Sequence, residues 1–139
     1  MTADKKRVLF LCTANAARSQ MAEALARRFH GDRLEVVSAG SRPCGWVHPV
    51  AIEAMAELGV DMSGARSKSA GEFIDEPFDV VVTVCDSAAA DCPAWPRAKR
   101  VEHWPIADPS FEPEATRYDR FIATRDELKR RIEELVRSL

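Results

Sequence analysis

The apolar run Val8 to Leu11 passes without a linker into Cys12, five small or polar residues, Arg18 and Ser19, in the order LFLCTANAARSQM. A buried strand that hands over to an amphipathic helix across so tight a loop is half of a βα unit, and the rest of the chain repeats the pattern. Helical spacing from about Ala17 to Phe29 puts Ala17, Met21, Ala24, Leu25 and Phe29 on one side and Gln20, Glu23 and Arg27 on the other. Leu34 to Ala39 reads as a second strand, closed by Gly40 and the turn-forming SRPCG. A second helix is expected from Pro49, suited to a first helical turn, to Gly59, suited to a left-handed C-terminal cap. After the polar stretch SGARSKSAGE, Phe78 to Val84 is the most convincing buried strand, and it ends on Cys85.

Beyond it, the alanine-rich segment between Asp86 and Cys92 reads as a short helix broken by Pro93 and Pro96, and Arg100 to His103 as a fourth short strand. The last helix spans roughly Glu114 to Arg137, with Tyr118, Phe121, Ile122, Leu128, Ile132, Leu135 and Val136 at helical spacing. Alternating strands and helices predict an α/β fold: one domain over residues 1–139, with a four-stranded parallel sheet in the order 2-1-3-4 flanked by helices. In that winding, ligands bind at the carboxyl ends of strands one and three, the positions of Cys12 and Cys85.

Apolar residues at 46%, charged residues at 30% and a net charge of −2 suit a globular protein and argue against a general nucleic-acid or membrane-surface partner. The apolar part of MTADKKRVLFLC is far shorter than a signal peptide needs, so a cytoplasmic location is expected. In a reducing compartment Cys12, Cys44, Cys85 and Cys92 read as catalytic, metal-binding or buried thiols before structural disulfides.

A strand-to-helix loop can turn its amides inward and, with the positive end of the helix, cradle an oxyanion. The expected cradle is Thr13, Ala14, Asn15, Ala16, Ala17, Arg18 and Ser19. Arg18 would add a two-pronged fork, Ser19 a hydrogen bond to Cys12, and Asn15 a residue tolerant of left-handed backbone. The same dipoles predict a lowered pKa and a thiolate at Cys12. The plainer alternative is a buried cysteine ending a strand, with an arginine that happens to start a helix.

CTANAARSQMAEA, with SAG at Ser38 to Gly40, resembles the low-molecular-weight tyrosine phosphatase superfamily, and VVTVCDSAAADCP and VEHWPIADP are similar to its thioredoxin-coupled arsenate reductases. The resemblance covers nearly the whole chain. It implies reduction of arsenate to arsenite: Cys12 forms a thiol-arsenate adduct, Asp108 donates a proton, Cys85 displaces arsenite by bonding to Cys12, and Cys92 then bonds to Cys85. No cofactor is expected beyond an external thiol reductant, with thioredoxin as partner, and the protein is taken to be a monomer. Residues seven apart on a helix lie about 10.5 Å apart, whereas a disulfide allows at most about 7 Å between Cα atoms. A helix between Cys85 and Cys92 would therefore have to unwind when that bond forms.

Other members of the superfamily hold potassium, and Asn15, Glu23 and Ser38 match contributors to that site. The segment Arg66 to Ser69 departs from the family pattern by carrying Lys68 where an acidic ligand is expected, so an ammonium in place of the metal is the expectation. Cys44 reads as a non-essential thiol, His30 as a helix C-terminal charge partner, and His48 as a helix-start residue. Two other functions use the same residues: a low-molecular-weight tyrosine phosphatase, which needs neither Cys85 nor Cys92, and an oxyanion-binding thiol redox sensor.

Overall fold

The computed structural model describes residues 5–84, 97–111 and 113–139. Cys85, Cys92 and the expected helix between them lie outside the described residues. Four strands, β1 (Lys6–Cys12), β2 (Leu34–Gly40), β3 (Phe78–Thr83) and β4 (Ala98–His103), alternate with helices α1 (Arg18–His30), α2 (Pro49–Glu57) and α3 (Glu114–Arg137). All pairings are parallel and the order is β2-β1-β3-β4, as the sequence predicts. Register sets Cys12 opposite Gly40 and Leu11 opposite Thr83, so the carboxyl ends of β2, β1 and β3 finish level with one another. One bond further on, the Val84 amide donates to Leu11 O at 2.7 Å.

The alternation of side chains along β1 divides the core. Val8 and Phe10 pack with Met21 and Leu25 of α1, Ala54 and Met55 of α2, and Phe121, Leu128 and Ile132 of α3. Leu9 and Leu11 face the other way, onto Val81, Phe78 and Ala70, with Phe73 and Ile74 over them. Each of these fully buried large side chains contributes about 1.5–3 kcal/mol of transfer free energy, and β1, apolar on both faces, is the strand that joins the two layers.

The start and end of α2 follow the chemistry read from sequence. His48 caps it by accepting the Val50 amide, and Pro49 fills the first turn. Gly59, at φ +80°, closes it: Gly59 N donates to Ala56 O at 2.9 Å and Val60 N to Met55 O at 2.9 Å. This double return needs a left-handed residue. An unpredicted short 3₁₀ turn, Ala70–Glu72, forms inside the polar stretch because Ser69 and Glu72 cap it reciprocally.

The expected faces of α1 and α3 need correction. Gln20 and Glu23, assigned to the polar side of α1, are 1% and 8% exposed, because segment 66–68 folds over that flank and supplies polar partners. Phe29, assigned to the core, is 38% exposed, its ring approached by the cations of Arg28 and Lys129. Tyr118 is likewise half-exposed, and its hydroxyl donates to Glu57 Oε2 at 2.7 Å.

Gly40 lies where β2 passes closest to the loop after β1. A Cβ there would fall 2.5 Å from Thr13 O and 3.0 Å from Asn15 N, both backbone atoms. Gly40→Ala is therefore expected to cost about 1–3 kcal/mol in urea unfolding. Gly64→Ala, whose added carbon meets nothing within 4 Å, should be close to neutral.

Candidate active site

The loop between β1 and α1 is held from outside by its own carbonyls. Cys12 O accepts from Ser41 N, Thr13 O from Arg42 N, Ala14 O from Cys44 N and Ala16 O from His48 N, at 2.9 to 3.1 Å. Segment 41–48 thus runs zipped along the loop. Asn15 O accepts from Gln20 Nε2 and Ala17 O from Met21 N. A trans peptide whose C=O is held outward directs its N–H the opposite way, so the inner rim is left to amides. One of these, Asn15 N, donates to Cys12 Sγ at 3.1 Å.

Asn15 takes the left-handed conformation expected of it, with φ +51°. Its side chain explains why the conformation persists. Nδ2 donates to Ser19 Oγ (2.7 Å) and Ser38 Oγ (3.0 Å), while Oδ1 accepts from Gln20 Nε2 (2.8 Å) and Lys68 N (2.7 Å). The residue is fully buried, and its carboxamide is satisfied on both sides. Because Ser19 Oγ accepts from Asn15, its own hydrogen is free to point at Cys12 Sγ, 2.8 Å away. The expected Ser19 contact is present.

Cys12 itself is 3% exposed, and here the expectation of a lowered pKa is overturned. Burial pushes the thiol up from its ordinary value; the Ser19 contacts, the charge of Arg18 and the Asn15 amide pull it down by less. Loop dipoles stabilise the thiolate, but removal of solvent on nearly every side disfavours it more.

Arg18, also buried, donates from Nη1 to Ile106 O at 2.8 Å and brings Nη2 to 3.5 Å from Asp108 Oδ2. The loop carrying Asp108 is anchored by buried Trp104 and Ile106, with Trp104 stacked at a tilt on Phe10. Asp108 Oδ1 accepts from Ser110 N and Oγ, at 2.9 and 2.7 Å. Asp108 therefore opens a turn and also faces the site. Cys12, Ala14, Ala16, Ala17, Arg18 and Asp108 line one cavity of about 340 Å³. Cys44, Trp46, His48 and Ser110 complete its wall. Nothing in sequence spacing marked Trp46 or His48, since their place depends on segment 41–48 following the loop.

Behind the loop, Asn15, Glu23 and Ser38 come together as the resemblance implies: Ser38 Oγ donates to Glu23 Oε1 at 2.6 Å. Lys68 joins them, with Nζ 3.2 Å from Glu23 Oε1 and 2.9 Å from Arg66 O. The buried carboxylate that would bind a metal cation already holds an ammonium, so these residues do not suit a potassium ion.

A profile of the low molecular weight phosphotyrosine protein phosphatases matches residues 7–139. The chain belongs to this family. Its similar relatives include an arsenate reductase of Staphylococcus epidermidis, 42% identical over 94% of this chain and 95% of the relative. Among solved structures, an arsenate reductase in a phosphate-binding state superposes with TM-score 0.84 at 34% identity, covering 96% of this chain and 98% of the other. A thioredoxin-dependent arsenate reductase from Corynebacterium glutamicum superposes with TM-score 0.77 at 31% identity, covering 99% of this chain and 63% of the other. Among the described residues of the present family member, no helix is long and apolar enough to cross a membrane.

Since burial raises the Cys12 pKa, the uncharged thiol should prevail through neutral pH. Alkylation by iodoacetamide is expected to accelerate only above the ordinary thiol range, and Ser19→Ala, which deletes a lowering contact, should push the midpoint higher still. A midpoint below that of a free cysteine would contradict the burial argument.

Proposed function

We propose that the protein reduces arsenate to arsenite through a thiol relay regenerated by thioredoxin. The observation that carries this reading is a buried cysteine, ringed by amides and faced by Arg18 and Asp108, in a chain whose relatives are arsenate reductases. In the first step Cys12 and arsenate condense: sulfur replaces one hydroxyl on arsenic, and the thiol proton leaves with that hydroxyl as water. Such a condensation is neutral overall, so it tolerates a thiol whose pKa is raised. Arg18 and the loop amides balance the charge of the anion, and Asp108 relays that single proton, giving its own to the departing oxygen and taking the thiol proton in its place.

Cys85 then attacks the Cys12 sulfur. The S–As bond breaks with its electron pair left on arsenic, arsenate becomes arsenite, and two thiols become one disulfide. Thiolate attack by Cys92 on Cys85 frees Cys12 and passes the disulfide to thioredoxin, whose dithiol is oxidised in turn. Val84, the residue before Cys85, is bonded to the strand that ends on Cys12, which supports Cys85 as first rescuer. Lys68 serves as a tethered cation, and no metal takes part; activity should be equal in potassium and sodium chloride at matched ionic strength.

The deciding experiment is arsenate reduction by the wild type and by Cys12→Ser, Cys85→Ser and Cys92→Ser, with thioredoxin and its reductase. The first two variants should be inactive, and Cys92→Ser should stop after one turnover with Cys12 and Cys85 bonded. A phosphatase would keep hydrolysing aryl phosphates in the Cys85 and Cys92 variants while wild type left arsenate untouched. A redox sensor would oxidise its thiols without stoichiometric arsenite release.

A further inference from the structure

The proposed reaction uses the amide ring, Arg18 and Asp108 but gives no part to the residues that complete the cavity wall. His48 stands there, in the same cavity as Cys12, Arg18 and Asp108. Its ring is held on two sides, with Phe121 at 4.8 Å and Trp46 at 5.6 Å between centroids. Its backbone is held as well, since His48 N donates to Ala16 O of the anion loop at 2.9 Å. The helix cap then fixes its protonation pattern. Val50 N–H donates to His48 Nδ1 at 3.1 Å; an amide can only donate, so Nδ1 must present a lone pair. The neutral ring consequently carries its hydrogen on Nε2. Burial and the nearby charge of Arg117 favour that neutral ring, against the opposing pull of Asp108.

We infer that His48 is an oxyanion-binding residue: its Nε2–H is offered to an outer oxygen of the tetrahedral anion, on the wall shared with Asp108. Arg18 and the loop amides supply charge and the inner contacts. His48 adds a neutral donor whose tautomer is set before the anion arrives, because the Val50 amide claims Nδ1 and leaves the hydrogen on Nε2. The inference rests on the proposed arsenate reaction for its substrate but only on tetrahedral oxyanion binding for its chemistry.

His48→Asn separates the two roles, since asparagine is among the best N-cap residues and lacks a donor that reaches where Nε2 lies. With thioredoxin-coupled turnover, the KM for arsenate should rise about three- to tenfold, the effect of one neutral hydrogen bond. The inhibition constant of inorganic phosphate should rise by the same factor, while kcat stays near wild type and the retained cap keeps the protein folded despite the lost ring contacts. In the wild type, ¹⁵N NMR of the imidazole should show Nε2 protonated and Nδ1 bare, with the Nε2–H resonance shifting as phosphate is added. The inference is overturned if Nδ1 carries the hydrogen, if the Nε2–H signal ignores phosphate, or if His48→Asn binds phosphate as wild type does. The NMR titration needs no turnover, so a wild type that binds phosphate through His48 but does not reduce arsenate would discard the proposed reaction and retain this site.

Discussion

The four hydrogen bonds of the Asn15 carboxamide hold the active-site loop in shape. They join the helix start at Ser19 and Gln20, strand β2 at Ser38 and the crossing segment at Lys68, all to one left-handed residue. A non-glycine residue at positive φ is costly when unsupported. Here every polar atom of the side chain is satisfied, and the strain is offset by contacts that exist only in this backbone conformation. The carbonyls of the loop are then claimed from outside, and what remains on the concave side is amide. An anion cradle is thus formed by folding, before any anion arrives.

Two burial costs are met in different ways on the two sides of that loop. On the inner side Cys12 is removed from solvent among donors that do not fully compensate, and its thiol stays protonated more readily than a free one. A reaction beginning as a condensation with an anion accommodates this, since no separated thiolate has to accumulate. On the outer side Glu23 is buried but holds a cation from its own chain: Lys68, with Arg27 Nη2 also 2.8 Å from Oε2. Losing Glu23 would leave the buried Lys68 ammonium without its carboxylate, which is far more costly than the pair is stabilising. The tethered ammonium therefore belongs to the same rigid assembly as Asn15, to which its own backbone amide is bonded.

Much of this was legible in the chain. The parallel sheet followed from strand and helix signals in alternation, and the cradle from a cysteine and an arginine bracketing five small or polar residues at a strand-to-helix junction. The cap of α2 was written in His48, Pro49 and Gly59. The failures share a physical reason: helical periodicity records which residues share a face but not what covers that face. Gln20 and Glu23 read as solvent-facing because the segment that buries them lies more than forty positions away. Cys12 read as a thiolate because dipoles can be inferred from a loop, whereas desolvation depends on the whole surrounding fold. Trp46 and His48 entered the cavity wall only through backbone bonds between segment 41–48 and the loop.

The claim that Asn15 organises the cradle is tested most directly by calorimetric titration of inorganic phosphate into wild type and Asn15→Ala, with near-ultraviolet circular dichroism verifying that both remain folded. Deleting a carboxamide that satisfies four buried partners should weaken phosphate binding by at least about tenfold, since each orphaned group costs about 1–3 kcal/mol and the loop is free to leave its left-handed form. A folded Asn15→Ala that binds phosphate with wild-type affinity would show that the amide ring holds its shape without the clamp.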